Sequence, residues 1–209
     1  MSLAMLLLTV LAVLIFFGVL ERVLDRMYLT DRAALILVAL MFAGTLLPNV
    51  TLGRVAINLG GAVIPLGVCT YLLIRADTWR ERVRAMAGAA LTAVAVYVLS
   101  TLLPDEPEEM WMEPNLIYGL AGGVVAWILG RSRRGAFVCG VAGVLLADVA
   151  TAMVNWQRGI AQQLVLGGAG LADATVLAGV EAVLLTELVG EIMERVKRKK
   201  SPTGQEGQP

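Results

Sequence analysis

GVAGVLLADVATAM, residues 140–153, is an apolar run with one carboxylate, Asp148, inside it. A second run, LVLGGAGLADATVLAG at 164–179, again holds a single acid, Asp173. Neither run contains lysine or arginine. Both belong to segments that approach the roughly 20 apolar residues needed to cross hydrocarbon. A carboxylate at membrane depth costs about 2.5–3.5 kcal/mol on insertion scales. The two segments therefore predict membrane helices, and their two aspartates predict a functional site.

The rest of the chain agrees with a membrane solvent. Of 209 residues, 58% are hydrophobic and 16% charged; the mean hydropathy is +0.77. Soluble domains carry about 45–50% apolar and about 25% charged residues. The apolar excess falls into seven runs, at about 2–20, 33–52, 55–74, 85–103, 114–130, 135–154 and 164–190. Long non-alternating runs satisfy their backbone groups in lipid only as helices. The expectation is an all-α, polytopic bundle of seven transmembrane helices. Residues 1–195 form its single domain, and 196–209 form a basic, then polar and disordered, cytoplasmic tail. A tight hairpin between Pro48 and Arg54 separates the second and third runs.

The basic residues orient the bundle. Arg22, Arg26 and Arg32 follow the first run; Arg75, Arg80, Arg82 and Arg84 follow the third; Arg131, Arg133 and Arg134 follow the fifth. Arg195, Lys197, Arg198, Lys199 and Lys200 follow the seventh. These alternate connections hold all but two of the 17 basic residues, Arg54 and Arg158 being the exceptions. By the positive-inside rule they are cytoplasmic, which puts the amino terminus outside and the carboxyl terminus inside. The first run has no basic n-region and no A-x-A before Glu21, so it is read as a retained span in a multi-pass protein of the cytoplasmic membrane.

Several function classes drop out. The chain has no histidine, so imidazole metal sites and Ser-His pairs are excluded. Cys69 and Cys139 lie in apolar runs and read as buried thiols, too few for a zinc cage. No metal, no cofactor and no nucleic acid is expected. The expected partners are the lipid bilayer, a small cation or proton, and a second copy of the chain.

Depth places the acids. Counted at 1.5 Å per residue, Asp148 and Asp173 lie roughly 9 and 13 Å below the outer surface on antiparallel neighbours. Small-residue stripes run beside them: Cys139, Gly143, Ala147 and Thr151 on one helix; Gly170, Ala174, Ala178 and Ala182 on the other. Such stripes let membrane helices pack closely, which predicts one seam with both carboxyls at its edge. Glu181 is about 12 Å deeper than Asp173 and extends a polar track. Glycine pairs at Gly60-Gly61, Gly122-Gly123 and Gly167-Gly168, with Gly170, mark outer halves where backbone can unwind and coordinate a cation. Asn58 precedes the first pair, and LGGA at 59–62 and 166–169 is a faint repeat. The outer connection PDEPEEMWME carries five acids and no base, and raises local cation concentration.

An ionised pair with no basic partner is untenable at this depth. Three states survive: both acids protonated, one proton shared, or a bound cation. The leading expectation is permeation or transport of a proton or small cation through Asp148, Asp173, Glu181 and Asn58. The second is an intramembrane aspartyl protease with Asp148 and Asp173 sharing a proton. GLAD at 170–173 resembles the GxGD motif of presenilin-like proteases, with Ala172 in place of the second glycine, no tyrosine before Asp148 and no PAL sequence. The third is a structural or assembly protein whose acids are only hydrogen-bonded. Overall the balance leans away from an enzyme.

Three segments, INLGGAVIPLGVCTYLL (57–73), LLADV (145–149) and GGAGLADATVLAG (167–179), resemble an uncharacterised family of prokaryotic membrane proteins catalogued as domain of unknown function 1614. The family pattern has an N-x-GGA-x-IP helix and a late GGAG-x-x-D segment. Ala172 and Ala174 here stand where the pattern has an aromatic before the Asp and a glycine after it. The resemblance implies a helical inner-membrane protein and no particular activity.

Overall fold

Alternation of apolar helix-forming runs with short glycine-rich breaks gives a mostly helical chain. A computed structural model describes residues 21–102, 114–129 and 132–200. The first expected span, the acidic connection and the polar tail after Lys200 lie outside the described residues. In chain order the helices are α1 (Glu21–Arg26), α2 (Asp31–Thr45), α3 (Ile64–Ile74), α4 (Trp79–Leu102), α5 (Pro114–Leu129), α6 (Arg133–Gln157) and α7 (Ala174–Lys200). Among the described residues, α4 and α6 are long and apolar enough to cross a membrane.

Three of the expected spans are not continuous helices. The second stops at Thr45, before Pro48, and its remainder forms strand β1 (Val50–Leu52). The third opens with strand β2 (Val55–Ile57) and one π-helical turn (Leu59–Val63) before α3. The seventh opens with strand β3 (Leu164–Leu166) and a 3-10 turn (Gly170–Ala172) before α7. Local chemistry explains the breaks. Pro48 cannot donate a helical hydrogen bond, and Val50, Val55, Ile57 and Val165 are β-branched, which suits strands. The chain reverses between β1 and β2 at Gly53-Arg54, as expected of a tight hairpin. Gly53 has φ +62°, a left-handed value that glycine tolerates best.

β1 pairs antiparallel with β2, and β2 pairs parallel with β3 in the register Val55↔Leu164, Ala56↔Val165, Ile57↔Leu166. The two LGGA segments thus leave one sheet side by side, two residues out of step. They meet in a crowded knot. A Cβ on Gly61 would collide with the Gly167 and Gly170 carbonyls, and one on Gly60 with Met41 and Thr45 of α2. Thr45 Oγ1 accepts from Leu171 N at 2.9 Å and donates to the Met41 carbonyl at 2.8 Å. The unwinding expected at these glycines is present, but it makes a close-packed joint. Gly122 and Gly123 do not break a helix; they sit inside regular α5, where Gly122 faces Gly140 and Gly123 faces Leu185.

Below the sheet, α4 packs on α6, α5 on α7, and α6 on α7. The expected seam is redistributed. Cys139 and Gly143 of α6 face α4, against Gly88 and Thr92, whereas α7 crosses α6 at Gly140. Ala147, Ala178 and Ala174 do come together, with Tyr118 and Val96 beside them. The outer faces stay apolar: Ile36, Leu40, Phe42, Leu91, Val94, Leu120 and Val124 are all exposed.

Candidate functional site

Asp148 sits in α6 near the sheet end and is half-buried. It lines an open cleft of about 290 Å³ with Ser100 of α4, Tyr118 of α5, Thr151 of α6, and Gln162 and Gln163 before β3. The wall before β3 exists because the chain folds back over the end of α6. Gly159 turns with φ +78°. Asn155 Nδ2 then donates to Gln162 Oε1 at 2.6 Å, Trp156 Nε1 donates to the Gln162 carbonyl at 2.7 Å, and Leu164 N donates to the Arg54 carbonyl at 2.8 Å. The cleft thus offers one carboxylate, three hydroxyls and two amides. Among the described residues no lysine or arginine lines it.

Asp173 is not inside a helix but caps one. Its Oδ1 accepts from Thr175 N at 3.0 Å and its Oδ2 from Ala169 N at 3.1 Å, while its carbonyl accepts from Val176 N and Leu177 N. Asp at this position satisfies helix N–H groups that would otherwise lack partners. Glu181 is buried in α7, two turns on, and its carboxylate occupies the space where Gly119 of α5 lacks a Cβ.

Asn58 is engaged locally. Its Oδ1 accepts from Gly61 N at 2.9 Å and its Nδ2 donates to Asn49 Oδ1 at 2.9 Å. It caps the π turn and ties it to the loop before β1. The four expected site residues have different surroundings: Asp148 opens on the cleft, Asp173 and Asn58 are caps, and Glu181 is buried further along α7. Among the described residues no three Asp, Glu, Cys or His side chains gather as metal ligands.

Sequence reasoning missed Tyr118, Ser100 and Gln162, which become neighbours of Asp148 only through tertiary packing. It also missed a polar clasp at the opposite end, where the basic connections had been read for topology alone. Arg134 Nη2 lies 2.6 Å from Asp77 Oδ2 and 3.0 Å from Glu81 Oε2, and its Nη1 donates to the Arg75 carbonyl at 3.2 Å. The guanidinium stands 4.8 Å from the centre of the Tyr28 ring. Tyr28 has φ +56°; its hydroxyl donates to Asp77 Oδ1 at 2.8 Å and its carbonyl accepts from Tyr71 at 3.0 Å. Ser132 Oγ donates to Glu81 Oε1 at 2.6 Å, and Arg133 pairs with Glu187 at 2.6 Å. The one available signal was the spacing of four between Asp77 and Glu81.

The clasp is sensitive to acid. Hydrogen bonds from Arg134 and then Tyr28 hold the Asp77 carboxyl below its ordinary value. A lowered folded-state value gives stability that is present above the unfolded carboxyl value of about 3.9 and is lost as pH falls through the folded one. The wild type should therefore melt above Asp77→Asn at pH 7, and the gap should close under acid. Melting curves across pH check this; a gap unchanged at low pH would refute it.

A family profile described as "Protein of unknown function (DUF1614)" matches residues 20–185. The chain belongs to the DUF1614 family. The DUF1614 match extends the resemblance of 57–179 back through α2 and α1, so the clasp residues Tyr28, Asp77 and Arg134 and the cleft residues Tyr118 and Asp148 all fall inside it. No curated protein and no solved structure matches the chain.

Proposed function

We propose that this DUF1614 protein is a multi-pass protein of the cytoplasmic membrane that passes a proton or small cation through a site centred on Asp148. The membrane placement is supported by the length and apolarity of α4 and α6 and by the apolar side chains on the outer faces of the bundle. A helix apolar all round belongs in a large core or in lipid. The clasp end, rich in arginine, is the cytoplasmic end by charge, and the sheet end faces outward.

One observation carries the functional reading. Asp148 opens on a polar cleft that no basic side chain among the described residues neutralises. An acid so placed favours a proton or a cation as its counter-charge. Glu181, buried between α5 and α7, is the next carboxylate inward. Asp173 caps α7. The protease reading gains nothing from this geometry, because backbone N–H groups already engage both oxygens of Asp173.

Reconstitution of the full chain in proteoliposomes tests the reading. With an imposed proton, sodium or potassium gradient and a matching dye, wild type should exceed empty vesicles. Asp148→Asn should fall to the empty-vesicle rate while keeping the wild-type melting profile. Equal flux from wild type and Asp148→Asn, or no flux above empty vesicles for any of the three ions, would overturn it.

A further inference from the structure

A second cleft, of about 310 Å³, lies at the clasp end between α4, α5 and the start of α6. Its polar lining includes Arg80, Arg84, Thr78 and Ser132, and its apolar lining includes Ala126 and Leu129. Glu81 also borders it, but that charge is already used. Its oxygens accept from Ser132 and from Arg134 Nε and Nη2. Among the described residues Arg80 and Arg84 have no hydrogen-bond or ion-pair partner, and although Arg134 is shared between Glu81 and Asp77, the cleft and its rim keep a net positive charge.

We propose that this cleft binds the phosphate of an anionic phospholipid. Arg80 and Arg84, four apart on α4 and both exposed, line the cleft. Guanidinium matches phosphate oxygens in a planar, two-point geometry. The hydroxyls of Thr78 and Ser132 border the same space, and Ala126 and Leu129 offer an apolar wall for the first acyl carbons. Trp79, strongly exposed next to Arg80, is the residue type that marks a headgroup boundary. A cleft with both cationic and apolar lining suits a lipid better than free phosphate. The net positive charge disfavours a zwitterionic headgroup, whose ammonium would be repelled. The inference requires the membrane placement above, but not transport through Asp148.

Native mass spectrometry of the full chain in detergent tests the site, with dioleoylphosphatidylglycerol, dioleoylphosphatidylcholine and inorganic phosphate as separate probes. Each basic residue near a membrane surface is worth about 1 kcal/mol, so Arg80→Gln with Arg84→Gln should weaken phosphatidylglycerol binding roughly 30-fold. Arg80→Lys with Arg84→Lys, which keeps the charge, should recover part of that loss. Arg32→Gln, outside the cleft, should leave binding unchanged. Equal binding of the two lipids, or no loss in the double glutamine variant, would overturn the site. Inorganic phosphate displacing the lipid at equal concentration would overturn the lipid assignment. None of these readouts depends on flux, so failure here and failure of the Asp148 reading are separable.

Discussion

Alanine at position 140 is expected to destabilise the protein by about 1–3 kcal/mol, the range for overpacking a close-packed interior. α6 and α7 cross at Gly140 with backbone against backbone. A Cβ there would overlap the Ala178 carbonyl and approach Gly179 Cα at 2.8 Å. The obstacle is main chain, so no rotamer change relieves it and the helices must separate. Ala147, Ala178 and Tyr118 pack just beyond this crossing, so the strain should also reach the floor of the Asp148 cleft. Gly67→Ala is the control. Gly67 lies on the exposed face of α3 with nothing within 4 Å of its would-be Cβ. Glycine inside a helix costs about 0.5–1 kcal/mol relative to alanine, so Gly67→Ala should be neutral or stabilising. Thermal unfolding of both variants in one detergent checks the contrast, and equal melting temperatures would refute the crossing.

Arg134→Ala is expected to cost about 3 kcal/mol, at the low end for breaking a poorly solvated ion pair. The side chains of Arg134 and Glu81 are only 13% and 16% exposed. Loss of the guanidinium leaves Glu81 with Ser132 and one backbone N–H as partners. Asp77 is more exposed and contributes less, because solvent screens its share of the pair. The same change removes the cation above the Tyr28 ring and a donor to the Arg75 carbonyl. Arg134→Lys should recover little, because an ammonium cannot reproduce the fork that spans Asp77 and Glu81. Melting temperatures decide it: a lysine variant equal to wild type would mean that charge alone, not geometry, holds the clasp.

Helix class and helix order were legible in the sequence because apolar length and alternating basic connections are local signals. The bounds of α5 and α6 lie within three residues of expectation, and α4 begins six residues earlier, at Trp79. The sheet was not legible. Val50–Leu52, Val55–Ile57 and Leu164–Leu166 are three-residue strands embedded in apolar runs, and so short a strand has the same hydropathy as a helix end. Asp148 stands out in the sequence because a lone acid in an apolar run is a local signal that needs no tertiary contact. Asp173 was misplaced for a related reason. Its depth assumed helix from residue 164, whereas Gly167 and Gly170, with φ +67° and +62°, delay the helix to Ala174. The cleft and the clasp depend on contacts between distant segments, such as Arg134 with Tyr28, which no periodicity reports.

The parallel pairing of β2 with β3 has a consequence for how the chain is made. More than half the chain separates Val55 from its partner Leu164. During synthesis the edge of β2 that receives β3 is complete long before β3 exists, and the glycines that follow it wait for Gly167 and Gly170. Non-local pairing of this kind forms late and slowly. The early helices must therefore persist with one open strand edge and an unfilled joint until α7 is delivered. A chain stalled before residue 164 would present that edge to its neighbours, the ordinary starting point for misassembly.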